Sequence, residues 1–204
     1  NSDKVYTSFW FKLSNNWEGH SSGVNKILHM WNNDGIIPGE NIIVWSATGS
    51  GSNNLIAQLR LTNAVARNLD PNLGTSGDWI ITRDVWHRWE TLIKGSTGTN
   101  ADGEARWWLN GVKIGEYTNI QYFDLNHDKT WSFLEWAPTW GGIGGSVSQQ
   151  QEMDMDHIYV SIPPTPPSVS ITAPTNNSVL TSGTTQTALA VTTNEAATCR
   201  WSTT

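Results

Sequence analysis

The sequence predicts an all-β sandwich or barrel, and three observations carry that prediction. Apolar residues recur at every second position in short runs, as the half-buried face of a strand requires, and no long 3.6-residue stripe appears. Turn residues bound those runs, with 18 glycines and abundant Asn, Ser and Thr. The pair Asn110-Gly111 is the best hairpin signal in the chain, because both residue types accept the positive φ of a tight hairpin.

The first strand is expected over 5–13, where Val5, Thr7, Phe9, Phe11 and Leu13 share one face. Strands over 27–31, 42–47 and 55–61 follow, each a short apolar or alternating run. Positions 86–94 form the next, with Trp86, Arg88, Glu90, Leu92 and Lys94 on one face and His87 on the other. The run 104–109 leads into Asn110-Gly111, and 112–117 is the returning strand. Trp107 and Trp108 are adjacent and face opposite ways, so at most one of them enters the core. Strands over 131–136 and 153–161 complete the set.

The domain organisation is marked by proline. Residues 1–162 form the main domain, and the Pro-rich stretch 163–168 is a semi-extended spacer. The tail, 169–204, holds two strand-like runs, 169–172 and 189–192, around a Thr/Ser/Asn-rich turn. At that length it is too short to close a sandwich of roughly 100 residues.

Composition excludes several functions. The chain has 12 Lys+Arg against 18 Asp+Glu, a net charge of −6, and the tail adds only Glu195 and Arg200, which cancel. An acidic, lysine-poor domain is a poor ligand for nucleic acid or an anionic membrane surface, both of which reward clustered cations. The one cysteine, Cys199, lies in the tail, so the main domain uses neither disulfides nor thiolate metal sites. Cys199 itself reads either as a small buried residue or as half of a disulfide. No apolar run is long enough to span a membrane. His20, His29, His87, His127 and His157 lack a zinc-site spacing, and no nucleophile elbow, phosphate loop or dinucleotide fingerprint occurs.

The tryptophans point toward a ligand. The chain has 13, all but Trp201 in the main domain. Each indole carries an N–H that needs a partner once buried, so a single core rarely absorbs that many. Flat apolar faces edged with polar groups suit sugar rings, which makes a glycan the expected partner. The stretch from Trp136 to Gly145 reads as a binding loop, with Trp140, Trp136 and Glu135 along the glycan groove. Trp108, Trp31 and Trp45 are further candidates, and His20 is one that either meets a sugar hydroxyl or is a satisfied structural histidine.

Positions 86–94 and 101–111 have the cadence W-x-x-x-E … D-G-x-x-x-x-W-x-N-G, and 156–161 reads D-x-I-x-V-S. In these motifs the chain resembles concanavalin A-like jelly rolls, which include laminin G-like domains and polysaccharide lyases. The resemblance spans roughly residues 5–161. It implies two curved antiparallel sheets with the glycan on one outer face. The tail resembles the opening half of a bacterial immunoglobulin-like module of the kind found in secreted polysaccharide-active proteins. We therefore read the chain as a trimmed piece of a secreted bacterial protein.

The resemblance also implies chemistry for the acidic run Glu152-Met153-Asp154-Met155-Asp156. Its three carboxylates share one strand face, similar to the E-x-D-x-E motif of jelly-roll glucanases, whose retaining pairs stand about 5–5.5 Å apart. That makes Glu152 and Asp154 catalytic candidates, although the face would also take in Ile158 and Val160. Asp156, with Asp154 and Asp102, is the expected ligand set for a structural calcium, or else part of a solvated edge strand. A lyase needs a cation to neutralise a uronate and a Tyr, His or Lys as base. The row Arg88–Glu90–Lys94 offers the cations, while the R-x-E-x-R, Q-I-H and Y-x-K-x-G-x-Y strands of alginate lyases are absent.

Three functions remain open at this point. The leading expectation is a lectin-like carbohydrate-binding domain. The second is a polysaccharide lyase or endo-glycoside hydrolase in the same groove. The third is a structural or adhesion domain whose groove is filled by its own side chains.

Overall fold

The alternation at 5–13 becomes strand β1, Lys4–Leu13, whose Val5, Thr7, Phe9, Phe11 and Leu13 are all buried. In this computed structural model the described residues are 3–31, 41–42, 46–48, 54–61, 67–122, 131, 133–141, 143–162, 169–173 and 190–193. Cys199, Trp45 and His127 lie outside them. Among the described residues there is no helix, and hence none able to cross a membrane. The chain divides into two units, Asn1–Pro163 and Pro164–Thr204.

Among the described residues the first unit has twelve strands in two antiparallel sheets. One sheet has five strands: β1, β8 (His87–Lys94), β9 (Gly103–Leu109), β10 (Val112–Ile120) and β12 (Met153–Ser161), in the order β10-β9-β8-β1-β12. The other contains β2 (Val24–Trp31), β4 (Ser46–Thr48), β5 (Leu55–Leu61), β6 (Arg67–Leu69) and β11 (Phe133–Trp140), in the order β11-β2-β4-β5-β6. Short strands β3 (Asn41–Ile42) and β7 (Ile80–Ile81) pair with β2 and β5. In the second unit β13 (Val169–Ala173) pairs antiparallel with β14 (Ala190–Thr193).

Both sheets feed one core. Phe9, Phe11, Trp89 and Trp107 from the five-stranded sheet join Ile27, Leu55, Ala57 and Leu59 from the other. Each buried Phe, Ile or Leu among them contributes about 1.5–3 kcal/mol on burial. Trp107 also meets the indole's polar demand, donating its Nε1–H to the Ala57 carbonyl of the opposite sheet at 3.3 Å. Opposite Trp107 on β10 lies Gly115, where a Cβ would come within 2.1 Å of the ring. The tight turn after β9 is as the sequence demands, with Asn110 and Gly111 both at positive φ (53° and 82°).

Of the strand expected over 42–47, the described residues lie in β3 and β4, and residues 43–45 are outside them. Two details differ from the sequence expectation. Strands β6 and β7 are too short for a two-residue period to reveal. Strand β11 continues through Pro138 and Trp140, where a loop was expected, with an irregularity between Trp136 and Thr139 that accommodates the proline.

Candidate functional site

The outer face of the five-stranded sheet carries the chemistry. On β8 the burial alternates strictly, so Arg88, Glu90, Leu92 and Lys94 face out while His87, Trp89, Thr91 and Ile93 face in. The cross-strand register extends that face over the sheet: Glu90 lies between Trp108 on β9 and Ser8 on β1, and Ser8 is next to Tyr159 on β12. Leu92 lies opposite Tyr6, and Arg88 opposite Trp10, which in turn faces Asp156.

A β-bulge completes the face. Between Ser8 and Trp10 the register of β12 slips, and His157 there adopts φ 50°. The extra residue flips the parity, so Asp154 and Asp156 share the outer face with Tyr159 and Ser161. The sequence put Ile158 and Val160 on the carboxylates' face; the bulge corrects this. Met153 and Met155 turn toward the core.

At the centre of the face is a hydrogen-bonded cluster. The Tyr6 hydroxyl donates to Glu90 Oε1 at 2.5 Å. Arg88 reaches the same oxygen at 3.0 Å, and its Nε–H points at Ser8 Oγ at 3.4 Å. Burial first, and then the Glu90 carboxylate, push the Tyr6 phenol above its usual pKa, while Arg88 opposes them. Tyr6 is therefore held as a protonated phenol that donates to Glu90. Tyr159 packs edge-on to Tyr6, with ring centroids 6.1 Å apart.

Toward β10 the face is a ladder of ion pairs. Arg106 bridges Glu104 at 3.0 Å and Glu116 at 2.6 Å, Lys113 binds Glu116 at 2.7 Å, and Lys94 lies 3.8 Å from Glu104. Lys94, a catalytic candidate from sequence, is thus one rung of this ladder. Glu116 is held below the usual carboxylate range by Lys113 first and Arg106 second.

The remaining predicted residues are dispersed. Asp154 pairs with Lys12 at 3.0 Å, and Glu152 sits exposed just before β12. Asp102 accepts the Thr97 N–H at 2.6 Å, in the β8–β9 connection. Asp102, Asp154 and Asp156 do not converge, and no group of three or more metal-ligating side chains occurs among the described residues.

Two groove candidates are drawn inward. His20 is buried, its Nδ1 accepting the Ser22 N–H at 2.9 Å and its Nε2 donating to the Gly144 carbonyl at 2.7 Å, so it faces no sugar. Trp136 is half-buried against Phe9, with centroids 5.4 Å apart, and belongs to the core. Gly141, at φ 81°, lets the chain close over His20; a Cβ there would fall 1.8 Å from the imidazole. Trp140 ends β11 half-buried, donating to the Glu18 carbonyl at 2.6 Å and standing edge-on to His20. Glu135 lies 3.8 Å from the buried His29. Trp108 is on the outer face as expected, and the Trp31 side chain lies outside the described residues.

This architecture has known counterparts. An endo-β-1,4-glucuronan lyase from the fungus Trichoderma reesei superposes with a TM-score of 0.51 at 19% identity, over 77% of this chain and 67% of that one. The alginate lyase vAL-1 from Chlorella virus gives 0.56 at 14% identity, over 78% and 71%. The alginate lyase Aly36B, solved as a mutant with an alginate tetrasaccharide, gives 0.52 at 16% identity, over 78% and 69%. The fold is an all-β antiparallel sandwich, shared with these lyases. No family model and no curated protein sequence matches the chain. With identities this low, the fold is what is shared.

Tyr6, Trp10 and Tyr159 were not singled out in the sequence. Inward parity at Val5, Thr7 and Phe9 already sends Tyr6, Ser8 and Trp10 outward. What the sequence lacks is the register that brings Tyr6 to Glu90.

Proposed function

We propose that this chain is a polysaccharide lyase acting on a uronic acid-containing glycan laid on the outer face of the five-stranded sheet. The observation that carries this is the cluster in which Tyr6 and Arg88 both hold Glu90 Oε1. β-Elimination needs three things: a cation for the uronate carboxylate, a base for the C5 proton and an acid for the departing 4-oxygen. Arg88, still 43% exposed, supplies the cation. Glu90 takes the C5 proton, and the C4–O bond breaks as C4=C5 forms. Tyr6 protonates the leaving oxygen and recovers a proton from Glu90 through their hydrogen bond. Protonation of Glu90 also loosens its hold on Arg88, freeing the guanidinium when the substrate carboxylate gains charge. The lyases that share this fold support the reading by analogy.

A second reading has an observation of its own. Trp10 and Trp86 are exposed at 38% and 41%, as a carbohydrate-binding module would present them. One assay separates the two. The chain is incubated with glucuronan, alginate and a neutral β-glucan, and the ultraviolet absorbance of the new C4–C5 double bond is followed beside tryptophan fluorescence. A lyase raises the absorbance with a uronate polymer. Fluorescence change with no absorbance on any polymer leaves the binding module.

A further inference from the structure

Trp10 and Trp86 lie outside the Tyr6–Glu90–Arg88 cluster and have no part in the chemistry assigned to it. Trp10 is on the outer face of β1, directly opposite Arg88 on one side and Asp156 on the other. Trp86 comes just before β8, two positions short of Arg88, and Lys12 holds its ammonium 5.5 Å from the Trp86 ring centroid. Trp10 and Trp86 are thus diagonal neighbours on one face, roughly 7–8 Å apart at the backbone. Both flank Arg88, and each lies four residues from the Tyr6–Glu90 hydrogen bond, Trp10 from Tyr6 and Trp86 from Glu90, about 13 Å along the strands.

The polar surroundings fit a sugar. Asp154 and Asp156 stand on the neighbouring strand with side chains 50% and 59% exposed, presenting carboxylate oxygens as acceptors beside the indoles. Lys12 is already neutralised by Asp154 at 3.0 Å. This end of the sheet thus offers stacking faces and hydroxyl acceptors. Indoles left 38% and 41% exposed as diagonal neighbours on one face form a contiguous aromatic surface open to a ligand.

We propose that Trp10 and Trp86, with Asp154 and Asp156 beside them, form a separate sugar-stacking subsite. It holds a glycan residue by its ring face and hydroxyls, away from the bond being cleaved. The proposal rests on reading this sheet face as a glycan site, and the test keeps the two apart.

The experiment is native affinity electrophoresis through gels containing glucuronan, alginate or β-glucan, run for the wild type and for Tyr6→Phe, Trp10→Ala, Trp86→Ala, Trp10→Phe, Trp86→Phe and Lys12→Met. Cleavage is measured in parallel on the polymers. The expected result is retardation retained by Tyr6→Phe, weakened roughly tenfold by either alanine variant and largely restored by phenylalanine, which keeps an aromatic face. Retardation lost in the alanine variants without any cleavage by the wild type would remove the lyase reading and leave the subsite standing. Cleavage with retardation independent of Trp10 and Trp86 overturns the subsite alone. A wild type that no polymer retards overturns it too. So does a fall in thermal midpoint shared by Trp86→Ala and Lys12→Met with retardation unchanged, because the ring then serves only to seat the lysine.

Discussion

Tyr6 and Glu90, 84 positions apart in sequence, share a hydrogen bond of 2.5 Å in the middle of the outer sheet face. The bond exists because β1 and β8 pair in a register that sets Ser8 opposite Glu90 and Tyr6 opposite Leu92, one diagonal step away. If the phenol donates the proton to the leaving oxygen, Tyr6→Phe lowers kcat by about 10²–10⁴-fold while leaving polymer binding intact. Steady-state cleavage of whichever uronate polymer the wild type degrades, set beside gel retardation, checks this. Turnover within threefold of wild type removes Tyr6 from the chemistry.

The direction of the Tyr6 shift adds a pH prediction. Burial and Glu90 raise its pKa above the usual 10.0, so the acid form persists through neutral and mildly alkaline pH. The kcat profile should therefore show no alkaline fall from this group below pH 10. A rate that climbs steadily from pH 7 to 10 would instead indicate that a phenolate is the working species, acting as base.

Arg88 makes a prediction about shape as well as charge. Its guanidinium reaches Glu90 with one nitrogen and Ser8 with another, a fork that a lysine ammonium does not reproduce. Arg88→Lys is expected to lower kcat/KM at least tenfold, the scale of one lost hydrogen bond to a charged group. Retention of full kcat/KM by the lysine variant would show that a point charge suffices and that the fork is not used.

Legibility followed the range of the physics. Two-residue alternation on β1 and β8 reports burial directly, so the inward set Val5, Thr7, Phe9, Phe11 and Leu13 was readable from local sequence, as was the opposition of Trp107 and Trp108, though not which of the two is buried. The Arg88–Glu90 pair was readable for the same reason, both residues lying on one strand. What joins Tyr6 to them is pairing between strands far apart in the chain, which one sequence does not encode locally. The bulge at His157 escaped too, since one extra residue inverts the parity of everything after it. For Trp136 and His20 the sequence left packing and ligand contact open, because an indole or imidazole in a glycine-rich neighbourhood looks the same whether it packs on Phe9 and Gly144 or faces a ligand.

Two buried histidines set the acid side of stability. Burial lowers the pKa of His29 and His87 below the usual 6.5, against weaker opposing pulls from Glu135 on His29 and from Thr82 and Asn110 on His87. The unfolded chain therefore takes up these protons first. Their contribution to stability is complete above pH 6.5, declines as the pH falls below it, and stops changing once the folded histidines also protonate. The carboxylates held low, Asp78, Asp102 and Glu116, act in a separate window, below their usual 3.8 to 4.5. Thermal midpoints at pH 7.5 and pH 5 thus isolate the histidines, and the midpoint should drop at pH 5. His87→Gln should shrink that drop; an unchanged drop would assign it to another group.

Gly115 carries the last prediction, about the core beneath the site. Trp107 is fully buried, stacked almost parallel to Tyr117 with centroids 6.0 Å apart, and its six-membered ring fills the space over the Gly115 Cα. A Cβ at 115 would stand 2.1 Å from the ring, closer than packed carbons allow, and Trp107 cannot swing away without breaking its bond to the Ala57 carbonyl. The φ of Gly115 is not in the positive range, so the cost is one of space alone. Gly115→Ala is expected to destabilise the domain by about 2–3 kcal/mol through overpacking. Trp107→Phe, which shortens the ring, should relieve much of that cost in the double variant. Urea unfolding of the two single variants and the double gives the coupling directly. Additive effects would mean that the alanine is destabilising for a reason other than the indole.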